Sequence, residues 1–168
     1  MIRRLVPAAA LAAALVLSAC GSSSTPDEDF GSVPSPTGGV TVTGDLGAKP
    51  TVTVSEETAT VSELVISDID EGTGDTVEAG ATVTVHYVGV GGTTGQEFDS
   101  SWDRGQTIQF PLSGVIQGWQ DGIPGMRPGG RRLLVIPGDQ AYGANPPPGS
   151  GIQPNENLVF VVDLVSSP

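Results

Sequence analysis

The sequence predicts an α+β domain in which one short α-helix packs against a β-sheet of about five to six strands. From about Thr60 onward, apolar and polar residues alternate in short runs separated by Gly- and Pro-rich turns, which is typical of strands. Helical spacing occurs at 114–119, where Val115, Ile116 and Trp119 fall at positions i, i+1 and i+4. A short helix in a β-patterned chain must bury its apolar side against the sheet, so it either fills the core or forms the floor of a pocket.

The N-terminal residues predict export and attachment to a lipid. Arg3 and Arg4 precede an apolar run from Leu5 to Leu17, an order that is typical of a secretory signal peptide and too short to span a bilayer. The run ends in Leu-Ser-Ala-Cys at Cys20, which resembles the bacterial lipobox, in which the cysteine is lipidated and becomes the first residue after cleavage. We therefore expect a signal peptide over 1–19 and a lipid on Cys20. An ordinary signal peptide that contains a cysteine is the alternative.

The segment after Cys20 predicts a tether and an extension ahead of the domain. Residues 20–39 are rich in Gly, Ser, Thr, Pro and Asp, which favours a flexible linker. Within 40–59, the run from Val40 to Val54 alternates, which suggests a strand or an extension lying along the sheet, and the sequence leaves open whether this run pairs or hangs free. The formal net charge is −12, and loss of Arg3 and Arg4 with the signal peptide makes it more negative by two. So acidic a chain is not expected to bind nucleic acid.

Strand runs and turns then follow in order. The helix at 114–119 is expected to end near Gly122 and Pro124, because neither residue continues a helix well. The long Pro- and Gly-rich segment suggests a binding role, since structureless loops of nearly twenty residues are uncommon in compact domains. The predicted strands and loops are Val61–Ile69, a turn at Glu71–Asp75, Thr82–Tyr87, a turn at Gly89–Gly95, Glu97–Ser101, Thr107–Phe110, Arg131–Ile136, the loop Pro137–Asn155 and Asn157–Val165.

The sequence offers few groups for acid–base, nucleophilic or metal chemistry. His86 is the only histidine, so neither a Ser-His-Asp triad nor a histidine-rich metal site is expected, and His86 is assigned a structural role. The run from Asp68 to Gly72 is interpreted as a turn rather than a calcium loop, and Arg127–Arg132 as a solvated hairpin entry. The remaining candidates are aromatic and branched residues near turns: Tyr87, Phe98, Ile108, Val115, Ile116, Trp119, Tyr142, Ile152 and Phe160.

Six short motifs occur in an order that resembles the FKBP-type peptidyl-prolyl cis-trans isomerases over about residues 60 to 168. The resemblance implies a strongly twisted antiparallel sheet half-wrapped around one short helix, in agreement with the predicted element order. The motifs are His86-Tyr-Val-Gly89, Phe98-Asp-Ser-Ser101, Val115-Ile-Gln-Gly-Trp119, Arg132-Leu-Leu-Val-Ile-Pro137, Ala141-Tyr-Gly-Ala144 and Leu158-Val-Phe-Val-Val-Asp163.

The same resemblance implies a pocket for a proline ring. Trp119 is its expected floor, and the Ile116 N–H and Tyr142 hydroxyl are expected to bond to carbonyls of the bound peptide. Asp99 matches the carboxylate at the pocket edge, with Arg104 as its ion-pair partner. Ile108 stands where many members of the family have an aromatic wall residue. The expected walls are Tyr87, Phe98 and Phe160, and the expected rim is Val115, Ile116 and Ile152.

The resemblance further implies a prolyl isomerase that needs no cofactor or metal. The expected substrates are X-Pro bonds of unfolded, exported polypeptides, with macrolides such as rapamycin as possible ligands. We expect a monomer that is lipid-anchored outside the cytoplasmic membrane. A non-catalytic peptide-binding module or holdase on the same fold is the alternative, and a structural role in the cell envelope is the third reading.

Overall fold

The computed structural model describes residues 32–34 and 38–167. The predicted signal peptide, Cys20 and most of the predicted linker lie outside the described residues. Within those ranges, every helix is too short or too polar to cross a membrane.

Six strands form one antiparallel sheet, which confirms the predicted fold class. The strands are ordered β4-β8-β9-β5-β6, and β7 also pairs with β5. The elements in chain order are β1 (Ser32–Pro34), β2 (Val40–Thr43), β3 (Thr51–Val54), β4 (Val65–Asp70), β5 (Thr82–Gly91), β6 (Glu97–Ser100), β7 (Ile108–Pro111), α1 (Gln117–Gly122), β8 (Arg131–Ile136) and β9 (Leu158–Ser166).

The central strands are buried on both faces, because alternate residues enter two separate apolar clusters. We call the cluster on the helix side the inner core; in β9 it takes Leu158, Phe160, Val162 and Leu164, the face that the alternation predicts. The outer core lies on the opposite face of the sheet. Its buried members are Val40, Val42, Val88, Val90, Leu133, Val135, Val159 and Val161.

The N-terminal extension forms a sheet of its own instead of adding a strand to the main one. Strands β1, β2 and β3 pair in that order, all antiparallel. Val40 and Val42 of β2 are buried in the outer core. The small sheet therefore covers the outer face of the main sheet, which answers the question that the sequence leaves open. Ser32–Pro34 pairs as a strand within the segment where the sequence predicts a linker.

Two arginines at the start of β8 are buried, so the predicted solvated hairpin entry is wrong at those positions. Arg131 is 1% exposed and donates to both carboxylate oxygens of Asp163, at 2.5 and 2.7 Å. Arg132 donates to both oxygens of Asp68 and to the Gly122 carbonyl, which closes the C-terminal end of α1. Each guanidinium tolerates burial because its N–H groups meet charged or carbonyl oxygens.

The helix begins later than the sequence predicts. Val115 and Ile116 precede α1, and Ile116 is extended with φ −60° and ψ 153°. Only Trp119 of the predicted apolar trio is therefore in the helix. Because α1 has glycine at 118 and 122, it lies close against β8: a Cβ at position 118 would overlap the buried Ile136 side chain.

We expect Gly118→Ala to lower the free energy of unfolding by about 1–3 kcal/mol, since the added methyl overpacks the contact with Ile136. Helix propensity alone would predict the opposite sign. Urea unfolding measures the change. Gly114→Ala is the matched control, because a Cβ there would meet its nearest atom at an ordinary 3.7 Å. An equal or higher stability of Gly118→Ala would contradict the close packing.

Candidate functional site

A cavity of about 440 Å³ opens on the inner face of the sheet, where α1 leaves part of the sheet uncovered. Strands β5, β6, β7 and β9 and the residues around the start of α1 all contribute to it. Its lining is mostly aromatic and branched: Tyr87, Phe98, Asp99, Phe110, Gly114, Val115, Ile116, Trp119, Tyr142 and Phe160.

The indole of Trp119 is held by aromatic rings packed edge to face. Its ring lies 5.6 Å from Tyr87, 5.6 Å from Phe110 and 5.3 Å from Phe160, centroid to centroid, with interplanar angles between 81° and 88°. Phe98 makes a further such contact with Phe160. These pairs are worth about 0.5–1.5 kcal/mol each beyond the apolar area they bury. The aromatic lining is therefore fixed before any ligand enters.

Gly89 makes room for the two phenylalanine rings. The sequence predicts a turn from this residue, but β5 continues to Gly91 and Gly89 pairs with Phe160 of β9. A Cβ on Gly89 would stand 2.7 Å from Phe98 Cζ and 3.0 Å from Phe160 Cε1. The missing side chain thus lets both rings lie over the strand and face the cavity.

The polar edge of the cavity is a closed network of three side chains. The Tyr87 hydroxyl donates to Asp99 Oδ2, and Arg104 Nη1 donates to Asp99 Oδ1. Arg104 Nη2 also donates to the Tyr87 hydroxyl oxygen at 3.0 Å, and the guanidinium carbon lies 5.8 Å from the centroid of the Tyr87 ring. Arg104 therefore reaches the cavity through its partners and does not line it.

This network fixes the ionisation of its members. Burial raises the pKa of the Tyr87 hydroxyl to about 12, and the hydrogen bond to Asp99 adds to that effect. Burial would also raise the pKa of the Asp99 carboxyl, but the hydrogen bonds from Tyr87 and Arg104 outweigh it and lower that pKa below its ordinary value. At neutral pH the edge therefore carries an ionised carboxylate beside a protonated phenol.

Tyr142 and Ile116 line the cavity from the loops. Tyr142 is 38% exposed and shares the cavity lining with Asp99; the pKa of its hydroxyl is raised first by burial and second by the charge of Asp99. The Ile116 carbonyl accepts the first hydrogen bonds of α1, from Trp119 N and Gln120 N. That helix start holds the Ile116 backbone in its extended conformation at the cavity.

Besides Arg104, two predicted site residues do not line the cavity. Ile108 and Ile152 pack against the inner core, whereas Phe110, which is not among the predicted site residues, lines the cavity. The alternation of β7 contained the signal, because Ile108 and Phe110 lie two residues apart on one face.

His86 takes a structural position. The ring of His86 stacks on Trp102 at 3.9 Å, and its Nδ1 lies 3.0 Å from Ser101 Oγ. Across the described part of the chain, no three His, Cys, Asp or Glu side chains lie together as a possible metal site.

Comparison with known proteins agrees with the geometry. Residues 74–165 match the profile of the FKBP-type peptidyl-prolyl cis-trans isomerases. A probable FK506-binding protein of Corynebacterium glutamicum is 59% identical over 106 residues, which cover 62% of this chain and 87% of that protein. An FK506-binding protein of Streptomyces anulatus is 52% identical over 107 residues, covering 62% and 86% of the two chains. The crystal structure of FkpA from Escherichia coli superposes with a TM-score of 0.57 at 41% identity, over 62% of this chain and 47% of that one.

Titration of the two tyrosines tests the polar network. We expect one tyrosine to ionise near pH 12, and Asp99→Asn to lower the pKa of Tyr87 toward 10, because the charged acceptor is lost. The absorbance of tyrosinate measures this ionisation in the unmodified protein and in Asp99→Asn. Since unfolded tyrosine ionises near 10, the free energy of unfolding should fall as pH rises from about 10 to about 12. Asp139→Asn, an exposed carboxyl outside the cavity lining, is the control. An unchanged Tyr87 titration in Asp99→Asn would contradict the network.

Proposed function

The chain belongs to the FKBP-type peptidyl-prolyl cis-trans isomerase family, and on that premise we propose that it accelerates rotation about X-Pro bonds of exported polypeptides while a lipid on Cys20 holds it outside the cytoplasmic membrane. The observation that carries the catalytic part is the rigid aromatic cavity with an ionised, fully paired polar edge. The anchored location rests on the order of residues from Arg3 to Cys20.

The reaction requires a pocket rather than a reactive group. Rotation of an X-Pro amide must cross a barrier of about 18–20 kcal/mol because twisting breaks resonance, while the cis and trans forms differ by only about 0.5–1 kcal/mol. A twisted amide has a less charged carbonyl than a planar one, so it loses less when water is removed. A dry aromatic cavity therefore binds the twisted form more tightly. A 10⁴-fold acceleration needs only about 5.5 kcal/mol of such preference.

Each group of the cavity has a role in this proposal. The proline ring stacks on Trp119, between walls formed by Phe98, Phe110 and Phe160. The Ile116 N–H and the Tyr142 hydroxyl donate to carbonyls of the peptide on either side of the ring. These bonds hold the flanking chain while the amide rotates. Val115 completes the rim, and Ile108 and Ile152 support the lining from behind.

The paired edge of the cavity shapes the site without exchanging protons. Asp99 is ionised and accepts from Tyr87 and Arg104, so the Tyr87 ring is fixed against Trp119. Because no bond to hydrogen is made or broken in amide rotation, this carboxylate acts by orientation and by its charge. Macrolides such as rapamycin would compete for the same cavity, since two of the relatives are FK506-binding proteins.

The isomerase assay is the direct test of catalysis. We expect residues 21–168 to accelerate cis-to-trans conversion of a Leu-Pro peptide, and Trp119→Leu to lower kcat/KM at least tenfold, because the ring loses its floor. Rapamycin should inhibit the unmodified protein and bind Trp119→Leu more weakly. Trp102→Phe, in the second tryptophan and outside the cavity, should stay within about threefold. Absence of any acceleration would sink the proposal, and aggregation suppression that survives Trp119→Leu would then favour a holdase.

Membrane fractionation tests the anchor separately. We expect the full chain to sediment with the membranes and Cys20→Ser to lose that association, since the thiol that carries the lipid is gone. Ser22→Ala serves as the matched control. Retention of Cys20→Ser in the membrane fraction would show that another feature holds the protein there.

A further inference from the structure

One surface segment, 97–104, carries three groups of the proposed site. Phe98 and Asp99 line the cavity, and Arg104 pairs with Asp99. From the inside, the segment is fixed by the hydrogen bond between Tyr87 and Asp99. On the outside, it is contacted by a residue of the N-terminal extension.

That residue is Lys49, and it bridges both ends of the segment. Its Nζ lies 2.9 Å from Glu97 Oε1 and 2.7 Å from Asp103 Oδ1. Glu97 is the neighbour of Phe98 in sequence, and Asp103 is the neighbour of Arg104. The hydrogen bond to Asp103 contributes most to a raised pKa of the Lys49 ammonium, which therefore stays charged. One cation thus holds together two carboxylates that would otherwise repel each other.

The backbone that precedes Lys49 is held by a buried side chain. Arg131, buried beneath it, donates from Nη1 to the Gly44 carbonyl at 2.9 Å and from Nη2 to the Ala48 carbonyl at 2.8 Å. The same guanidinium is anchored by Asp163 of the central strand β9. The residue that precedes Lys49 is therefore tied to the middle of the main sheet. Contacts run without interruption from that sheet, through the extension, to segment 97–104.

An ordinary surface ion pair is the simpler interpretation, and such pairs contribute only about 0–1 kcal/mol to stability. Two features separate Lys49 from that case. The carbonyl of the preceding residue, Ala48, is held by the buried Arg131 side chain, and the two partners of Lys49 flank the residues that form one wall and the polar edge of the cavity. The effect expected from this geometry is on the position of the segment, which stability alone does not measure.

We propose that Lys49 is a positioning residue for prolyl isomerisation, which acts through Glu97 and Asp103 to set the edge formed by Asp99 and Arg104. This inference rests on the proposed function. Lys49 lies outside residues 74–165, which match the family, so the extension supplies segment 97–104 with a contact that the matching residues do not contain.

The test compares Lys49→Met with Arg127→Met, which removes one positive charge from an exposed arginine that bonds to the Gly74 carbonyl. In residues 21–168, Lys49→Met should lower kcat/KM three- to tenfold and move the Tyr87 titration from about pH 12 toward 10, because Asp99 leaves its place. Arg127→Met should change neither. Lys49→Arg should recover at least half of the activity, since it keeps the charge and the reach.

Salt and charge exchange refine the test. Raising NaCl from 0.05 to 1 M should lower kcat/KM of the unmodified protein by a larger factor than that of Lys49→Met, since salt screens the Lys49 pairs only where Lys49 is present and screens the Arg104–Asp99 pair in both proteins. The double variant Lys49→Asp with Asp103→Lys should have a higher kcat/KM than Lys49→Asp alone.

Two outcomes would overturn the inference. One is a Lys49→Met protein with unmodified kcat/KM and Tyr87 titration. The other is a loss of activity that follows a lower unfolding temperature while the Tyr87 titration stays at its original pH. Should the unmodified protein lack isomerase activity, the proposed function fails. The tyrosine titration would then still decide whether Lys49 positions Asp99, because it requires no turnover.

Discussion

The burial of both faces of the central strands is the constraint on which the rest of this structure depends. Strands β8 and β9 place apolar residues alternately in the inner and outer cores, so neither face can be left to water. The helix α1 covers one face and the N-terminal sheet covers the other. The buried Arg131–Asp163 pair fits the same constraint, because a guanidinium at this depth needs a carboxylate and carbonyl oxygens around it.

The cavity follows from the small size of the inner cover. A six-residue helix cannot shield the whole inner face, and its glycines bring it so close to β8 that space remains on the side of β5, β6 and β7. Aromatic side chains are large enough to line that space and leave an opening. Trp119 therefore belongs to the core through its contacts with Tyr87 and Phe110 and to the cavity through its exposed remainder. The sequence leaves open whether the helix fills the core or forms the floor of a pocket, and Trp119 does both.

Local patterns were enough to predict the strands from Thr82 onward, the single helix and most of the lining, because period-two alternation and short motifs are properties of neighbouring residues. What they missed depends on distant partners. The burial of Arg131 needs Asp163, 32 residues away, and a charged residue is otherwise expected at the surface. The position of the N-terminal extension depends on the outer face of the main sheet, against which it packs. The late start of α1 depends on the extended conformation of Ile116. The presence of Phe110 in the cavity lining depends on which of the two residues on one face of β7, Ile108 or Phe110, reaches the opening.

The position of β9 bears on how the molecule comes into being. This strand follows all the others in the chain and lies between β8 and β5, so the two halves of the main sheet have no direct pairing before it arrives. A ribosome or an export channel delivers the chain with its N-terminus first. The earlier strands must therefore wait, with apolar faces open, until Leu158–Ser166 emerges and joins them. A protein whose proposed work is to speed a slow step in the maturation of other chains thus completes its own main sheet only after β9, the last strand of the described residues, has been released.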